Sequence, residues 1–222
     1  MNKVDQDLDL IKRTFSFDYA TLPTISEITS VIQEDSWGWS ADNKKRRNTY
    51  SIRQEYCNYS FSILSHEFMT SLKELVNKYN FKDIHELSCG IGWFTYWSRK
   101  YGINTKEAVD DYSWKHCKEF LPLVTKKDSI QHVKDNPQVD LFILSWPYMD
   151  AVAERIWTLM KPGQYLLYIG EGEGGCTAND TFFSKVAGQE IEVDSDISKN
   201  CISFWGIHDC PYLYRKVRWV YG

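Results

Sequence analysis

Eight consecutive residues, Glu86-Leu87-Ser88-Cys89-Gly90-Ile91-Gly92-Trp93, combine one carboxylate with two glycines a residue apart. A Gly-x-Gly step lets the backbone turn tightly and approach a ligand closely. About 20 residues further on stand two more acids, Asp110 and Asp111. At that distance the end of the next strand of a βαβ unit offers a carboxylate to ribose hydroxyls. A plain strand-to-helix turn would account for the glycines alone. With the acids at this spacing, the pattern favours a nucleoside-containing cofactor. A dinucleotide loop would carry Gly or Ala where this chain has Thr95, and would set a helix N-terminus against a pyrophosphate. Glu86, four residues before Gly90, repels a pyrophosphate and suits a cationic ligand. S-adenosylmethionine (SAM) has both a sulfonium and an ammonium group, so SAM is expected rather than NAD.

Three further stretches hold reactive side chains. Ser145-Trp146-Pro147-Tyr148 follows an apolar run. Trp146 and Tyr148 either cover the cofactor, with Pro147 shaping the turn, or Tyr148 offers a stacking face to an acceptor. Residues 169–180 contain four glycines with Glu171 and Glu173. A Glu at a strand's carboxyl end is placed to act as a general base or to grip a cation, whereas a bare loop explains the glycines. Cys176 reads as a packing residue. His208-Asp209 is either a general-base pair or a turn with a satisfied imidazole. Neither His116-Cys117 nor His208 with Cys210 has a zinc spacing, and no metal is expected.

These residues need elements to position them. Apolar positions in 66–79 recur at spacings of three and four, as in an amphipathic helix. Residues 83–87 read as a first strand, 93–101 as a helix stopped by Gly102, and 105–110 as a second strand. A second helix is expected over 113–120 and a third strand over 121–125. Val139–Leu144 is short and apolar, as a buried parallel strand should be. A helix over 149–160, a strand over 165–169, and closing strands over 203–207 and 212–217 complete the pattern. Alternation of strand and helix implies an α/β domain with a mostly parallel sheet, whose ligands bind at the carboxyl ends of strands where their order reverses. Residues 1–64 are less regular and are expected to form a mainly helical extension to a domain over 65–222.

Hydrophobic residues make up 43% and charged residues 25% of the 222, which excludes a disordered or fibrous chain. No apolar run approaches the ~20 residues of a membrane helix. The net charge of −4 gives no general attraction for nucleic acid, although Lys44-Lys45-Arg46-Arg47 is a local basic run: a solvated face or a phosphate contact. Six scattered cysteines with no Cys-x-x-Cys pair fit reduced thiols in the cytoplasm. The sequence leaves the oligomeric state open.

The chain resembles the class I SAM-dependent methyltransferases. Their acidic-x-x-x-Gly-x-Gly motif stands here as Glu86 to Gly92, their second-strand acid as Asp110 or Asp111, and a third acidic position as Asp128. Over about residues 46–215 it is similar to an uncharacterised group of small Rossmann-like homologues. These share blocks matching Tyr59–Ile63, Ser145–Tyr148, Ile169–Asp180 and Trp205–Asp209, and often have a second proline where this chain has Trp146. Ser145–Tyr148 also resembles the motif of enzymes that methylate nucleobase amino groups. The resemblance implies a single Rossmann-like domain with a mostly parallel seven-stranded sheet flanked by helices. It further implies SAM binding by Tyr59, Glu86, Ser88, Cys89, Gly90, Gly92, Trp93, Asp110 or Asp111, Asp128, Ser145 and Trp146. Ser145, Tyr148, Glu171 and His208 are the candidates beside a methyl acceptor, a small molecule or a nucleobase. A SAM-binding protein without transfer activity is the alternative. A dehydrogenase comes third, since 222 residues leave little room for a second domain.

Overall fold

The computed structural model describes residues 21–32, 53–54, 56–114, 119–191, 195–204 and 206–217. Its centre is one sheet of seven strands: β1 (Ile84–Leu87), β2 (Thr105–Asp110), β3 (Val124–Lys126), β4 (Leu141–Ser145), β5 (Tyr165–Gly170), β6 (Glu190–Ile191) and β7 (Cys210–Arg215). They lie in the order β3-β2-β1-β4-β5-β7-β6. The first five are mutually parallel, and β7 runs antiparallel to both β5 and β6. The helices that lie wholly among the described residues are α1 (Ile25–Ile32), α2 (His66–Lys78), α3 (Trp93–Lys100), α4 (Ser129–Asp135), α5 (Val152–Leu159), α6 (Asp180–Val186) and α7 (Ser195–Lys199). Among the described residues no helix is long and apolar enough to cross a membrane.

The two central strands show why this sheet has two covered faces. Successive side chains of a strand point to opposite sides. Leu141 and Ile143 of β4, with Leu167 and Ile169 of β5, pack beneath α2 and α3 against Phe68, Leu72 and Trp97. Phe142 and Leu144, with Leu166 and Tyr168, pack on the other face against Ile156, Trp157 and Phe182 of α5 and α6. A strand buried on both faces must be apolar throughout, as this run is. The helices start where side chains meet orphan amides: Ser65 accepts the N–H of Phe68, Asp128 that of Gln131 and Asn179 that of Phe182. Leu22 and Leu64, from the N-terminal segment, belong to the first of these cores.

Some expected elements differ. Of the expected strand over 203–207, the described residues 203–204 and 206–207 are not strand: the chain turns at Gly206 (φ +76°), Phe204 packs edge-on to Tyr56 at 5.5 Å, and Ser203 Oγ accepts the Asp209 N–H. Glu190–Ile191 takes the place beside β7 instead. The third strand is shorter and later than expected, because only Val124 of its three residues is buried. Residues 115–118 of the expected second helix lie outside the described residues, and its described ends, 113–114 and 119–120, are not helical. Of residues 1–64, the basic run lies outside the described residues, and α1 is the helix described in full. Cys57, Cys176, Cys201 and Cys210 are free thiols.

Near the amino end of the sheet, two buried imidazoles meet. His85 Nδ1 on β1 and His132 Nε2 on α4 are 2.9 Å apart, His85 Nε2 is 3.0 Å from Asp83 Oδ1, and Glu107 Oε2 is 3.9 Å from His132 Nδ1. One of the two facing ring nitrogens donates and the other accepts. Donor atoms of His85, Glu107 and His132 lie within 4.8 Å of one another, a grouping of metal-type ligands. Linear spacing does not reveal it, since three separate elements supply it. The two ring nitrogens already satisfy each other without an ion. Burial, and the neighbouring His85, push His132 down to about 4 from 6.5. Between those values the unfolded chain binds the extra proton, so this contribution is whole above pH 6.5 and lost as pH falls toward 4. At ~1.4 kcal/mol per pH unit the loss is on the order of 2–3 kcal/mol. Urea unfolding of parent and His132→Gln at pH 7 and 4.5 should therefore show the parent's advantage shrinking with acid. Equal pH dependence in the two chains would contradict a neutral buried His132.

Candidate cofactor and acceptor site

A cavity of about 550 Å³ opens at the carboxyl edge of the sheet, within the usual range for small-molecule sites. The loops after β1, β2, β3 and β4 form its walls, and residues 57–61 of the N-terminal segment close one side. It thus straddles the point between β1 and β4 where strand order reverses.

The glycine loop forms its base. Ser88, Gly90 and Gly92 are all left-handed, with φ of +48°, +55° and +85°. The loop is pinned by the Ser88 N–H on Ser129 Oγ (2.9 Å), the Cys89 N–H on Val109 O (3.1 Å) and the Gly90 N–H on Asp110 Oδ2 (2.9 Å). The glycines are not equivalent. A Cβ at Gly90 would meet nothing within 4 Å, whereas one at Gly92 would lie 2.5 Å from Val124 Cγ2 and 2.8 Å from Leu123 Cδ1. Gly90 leaves room in the cavity; Gly92 leaves room for the core.

Glu86 lines the cavity but is only 2% exposed. Its carboxyl accepts both the backbone N–H (3.0 Å) and the hydroxyl of Thr95. Gly92, the N-cap of α3, has no side chain to satisfy the first-turn amides, so Glu86 does so from the neighbouring strand. Thr95, which breaks the dinucleotide pattern, is therefore Glu86's partner. Burial outweighs the Thr95 bonds and raises the Glu86 carboxyl to about 8.

The two second-strand acids also part ways. Asp110 is 7% exposed and accepts the N–H groups of Gly90 and Tyr112. Asp111 is exposed and accepts the Ser113 N–H at 2.8 Å. Both line the cavity, as does Asp128, the N-cap of α4. Burial raises the Asp110 carboxyl above its ordinary range. Tyr59, Ser88, Cys89 and Trp93 line the cavity too; Gly92 stands behind it.

Beyond the loop, Ser145 and Tyr148 reach the same cavity. Ser145 Oγ is 2.7 Å from Ser62 Oγ, and Tyr148 is 67% exposed at the rim. Trp146 adopts φ +52°, a value closed to proline. The turn therefore differs in shape from the two-proline form that the resemblance implies. The Trp146 ring stacks on Phe61 (centroids 5.3 Å, interplanar angle 20°), and its Nε1–H donates to Asp209 Oδ1 at 2.8 Å. Asp209 is buried, and that burial raises its carboxyl to about 7.

Glu171 and His208 do not line the cavity. The Glu171 carboxylate instead accepts the N–H groups of Cys176 (2.7 Å) and His208 (3.1 Å). Burial pushes this carboxyl up, but those amides outweigh it and hold it below its ordinary value. The His208 side chain is 86% exposed and lies 3.8 Å from Glu171. The 171–180 loop meets the Ser145–Tyr148 turn through the Ala178 N–H on Pro147 O at 3.3 Å, and Cys176 is its contribution to the cavity wall. Phe61, Trp114, Ser62 and Asp209 complete the site. Sequence reasoning gives the first three no role there and reads Asp209 only beside His208. Phe61 and Ser62 stand inside the shared Tyr59–Ile63 block, which is the available signal.

No protein-family model matches the chain, and no curated protein matches it. Among solved structures it is similar to a SAM-dependent methyltransferase from Archaeoglobus fulgidus (17% identity, 67% of this chain and 94% of that one, TM-score 0.40). It is also similar to the N-methyltransferase NodS from Bradyrhizobium japonicum (15%, 68% and 94%, 0.44) and to human N-acetylserotonin methyltransferase (16%, 98% and 68%, 0.41). The strand order and the geometry of the cavity, rather than these distant likenesses, carry the functional reading.

Proposed function

We propose that the chain is a SAM-dependent methyltransferase whose cofactor occupies the cavity between β1 and β4. One observation carries this reading: the Asp110 carboxylate accepts the Gly90 amide at the switch point of the sheet. The ribose-type acid and the glycine loop thus face one cavity, with Glu86 behind them. The second oxygen lone pairs of Asp110 remain for ribose hydroxyls. Open space at Gly90 admits the cofactor backbone-close, and Glu86 offers a carboxyl to its cationic end. When bound, SAM supplies a methyl group made electrophilic by its sulfonium.

The chain's own contribution is placement. Ser145 and Tyr148 stand on the acceptor side, with Trp146 held by Asp209 and Phe61 as the wall between. Glu171 and His208 shape the loop behind that wall, and neither is assigned to the reacting atoms. Residues 1–64 are assigned as an extension that closes the cavity through Cys57–Phe61, and 65–222 as the methyltransferase domain.

Calorimetric titration tests the reading. SAM should bind and NAD should not. A cation beside Glu86 favours its charged form, so binding lowers a carboxyl that otherwise titrates near 8. SAM binding at pH 7 should therefore release protons, seen as a heat that depends on the buffer, and affinity should rise with pH up to about 8. Glu86→Gln should abolish the proton release. NAD binding without SAM binding would end the proposal.

A further inference from the structure

Four rings line the acceptor side of the cavity in an unbroken arc. Trp146 stacks on Phe61 at 5.3 Å, Phe61 meets Trp114 edge-on at 5.9 Å, and Trp114 meets Tyr148 at 5.8 Å and 56°. The ring faces are electron-rich and attract cations and flat π-systems. The charged lining has one sign. Glu86, Asp110, Asp111, Asp128 and Asp150 face the cavity, and no lysine or arginine does among the described residues. Arg53 acts on Cys57 and Asp209 and is not itself part of the wall.

Those acids are also anchored. Each accepts a backbone N–H of its own neighbourhood: Thr95 on Glu86, Gly90 and Tyr112 on Asp110, Ser113 on Asp111, Gln131 on Asp128, and Val152 on Asp150. No described histidine lines the cavity. The site therefore holds negative potential and aromatic faces, with no imidazole and no cationic side chain among the described residues.

An acceptor hydroxyl must lose its proton as it attacks and finds no imidazole in the lining to take it, and an acceptor carboxylate or phosphate would meet five acids and no cation. A neutral amine has neither difficulty. Resting on the methyltransferase reading, we infer that the acceptor is a planar aromatic amine, attacked while neutral and held as a cation by the ring arc. Its nitrogen lone pair forms the new N–C bond while the S–C bond electrons pass to the departing sulfur. The positive charge moves from sulfur to nitrogen, and the product ammonium then sheds its proton to water. The arc stabilises the charge where it arrives, and no side chain has to remove a proton beforehand.

The test uses the full chain saturated with S-adenosylhomocysteine (SAH) and three bicyclic probes of one shape: N-methylquinolinium, neutral quinoline and the naphthalene-1-carboxylate anion. Calorimetry at pH 7.5 should give the cation about tenfold tighter binding than quinoline, with the anion weakest. Phe61→Leu and Trp114→Leu should each reduce the cation preference several-fold. The matched turnover experiment, with labelled SAM, should methylate aryl amines and leave phenols of the same ring system untouched. Equal binding of the three probes, no binding of any, tightest binding of the anion, or turnover of phenols alone would overturn the inference. SAH affinity is measured in the same samples. If SAH itself fails to bind, it is the methyltransferase reading that falls; if SAH binds and the preference is absent, only the amine assignment falls.

Discussion

Gly92→Ala should destabilise the fold, whereas Gly90→Ala should mainly cost cofactor affinity. Both glycines have positive φ, which costs any other residue about 1–2 kcal/mol. At Gly92 the added methyl also collides with Val124 and Leu123, and such overpacking costs about 1–3 kcal/mol more. A total of about 2–5 kcal/mol is a large part of a domain's stability. At Gly90 the methyl enters open space on the cavity side, so the folded state bears the backbone strain alone and the ligand meets the obstruction. Urea unfolding with SAH titration on the folded fraction of each variant separates the two. Equal losses of stability, or unchanged SAH affinity in Gly90→Ala, would show that the loop does not hold the ligand.

The second large effect concerns the neighbouring acids. Asp110→Ala should weaken SAM binding more than Asp111→Ala. Each charge-assisted hydrogen bond to a ribose hydroxyl contributes about 1.5–3 kcal/mol, a factor of about 10 to 150. Asp110 also holds the Gly90 amide, so its removal loosens the loop as well. Asp110→Asn retains an oxygen acceptor for that amide and should fall between parent and Asp110→Ala. Calorimetric dissociation constants decide it. A larger loss in Asp111→Ala would place the ribose on Asp111 and leave Asp110 as a loop anchor only.

What was legible in the sequence was what packing repeats. Residues 139–144 and 165–169 read as buried strands because both faces of a central strand need apolar side chains. The edge elements were not legible for the converse reason. Val124–Lys126 buries one side chain, and Glu190–Ile191 is two residues long, so neither sustains a period. Residues 203–207 read as a strand, yet Phe204 is spent on Tyr56 and the chain turns at Gly206. Helix α6 went unread because the preceding glycines dominate the local composition, although Asn179 is a good N-cap.

The site was legible in part for a related reason. Glu86, Gly90 and Asp110 sit at fixed places relative to strands, so their spacing carries their geometry. Glu171 sits in a loop, and whether its carboxylate faces a ligand or the amides of Cys176 and His208 depends on a backbone path that no periodicity encodes. Phe61 and Trp114 come from irregular segments and meet only in three dimensions. The same holds for the bond from Trp146 to Asp209, 63 residues apart.

A crystal structure of the chain with SAH tests the central claim most directly. SAH is expected in the cavity between β1 and β4, its ribose hydroxyls on Asp110, its backbone-close passage at Gly90, and its sulfur facing the Trp146–Tyr148 turn with open space beyond. SAH bound elsewhere would contradict the proposed site. SAH in place, but with its sulfur sealed against the Cys57–Phe61 segment and no room for an acceptor, would make the chain a SAM-binding protein that transfers nothing.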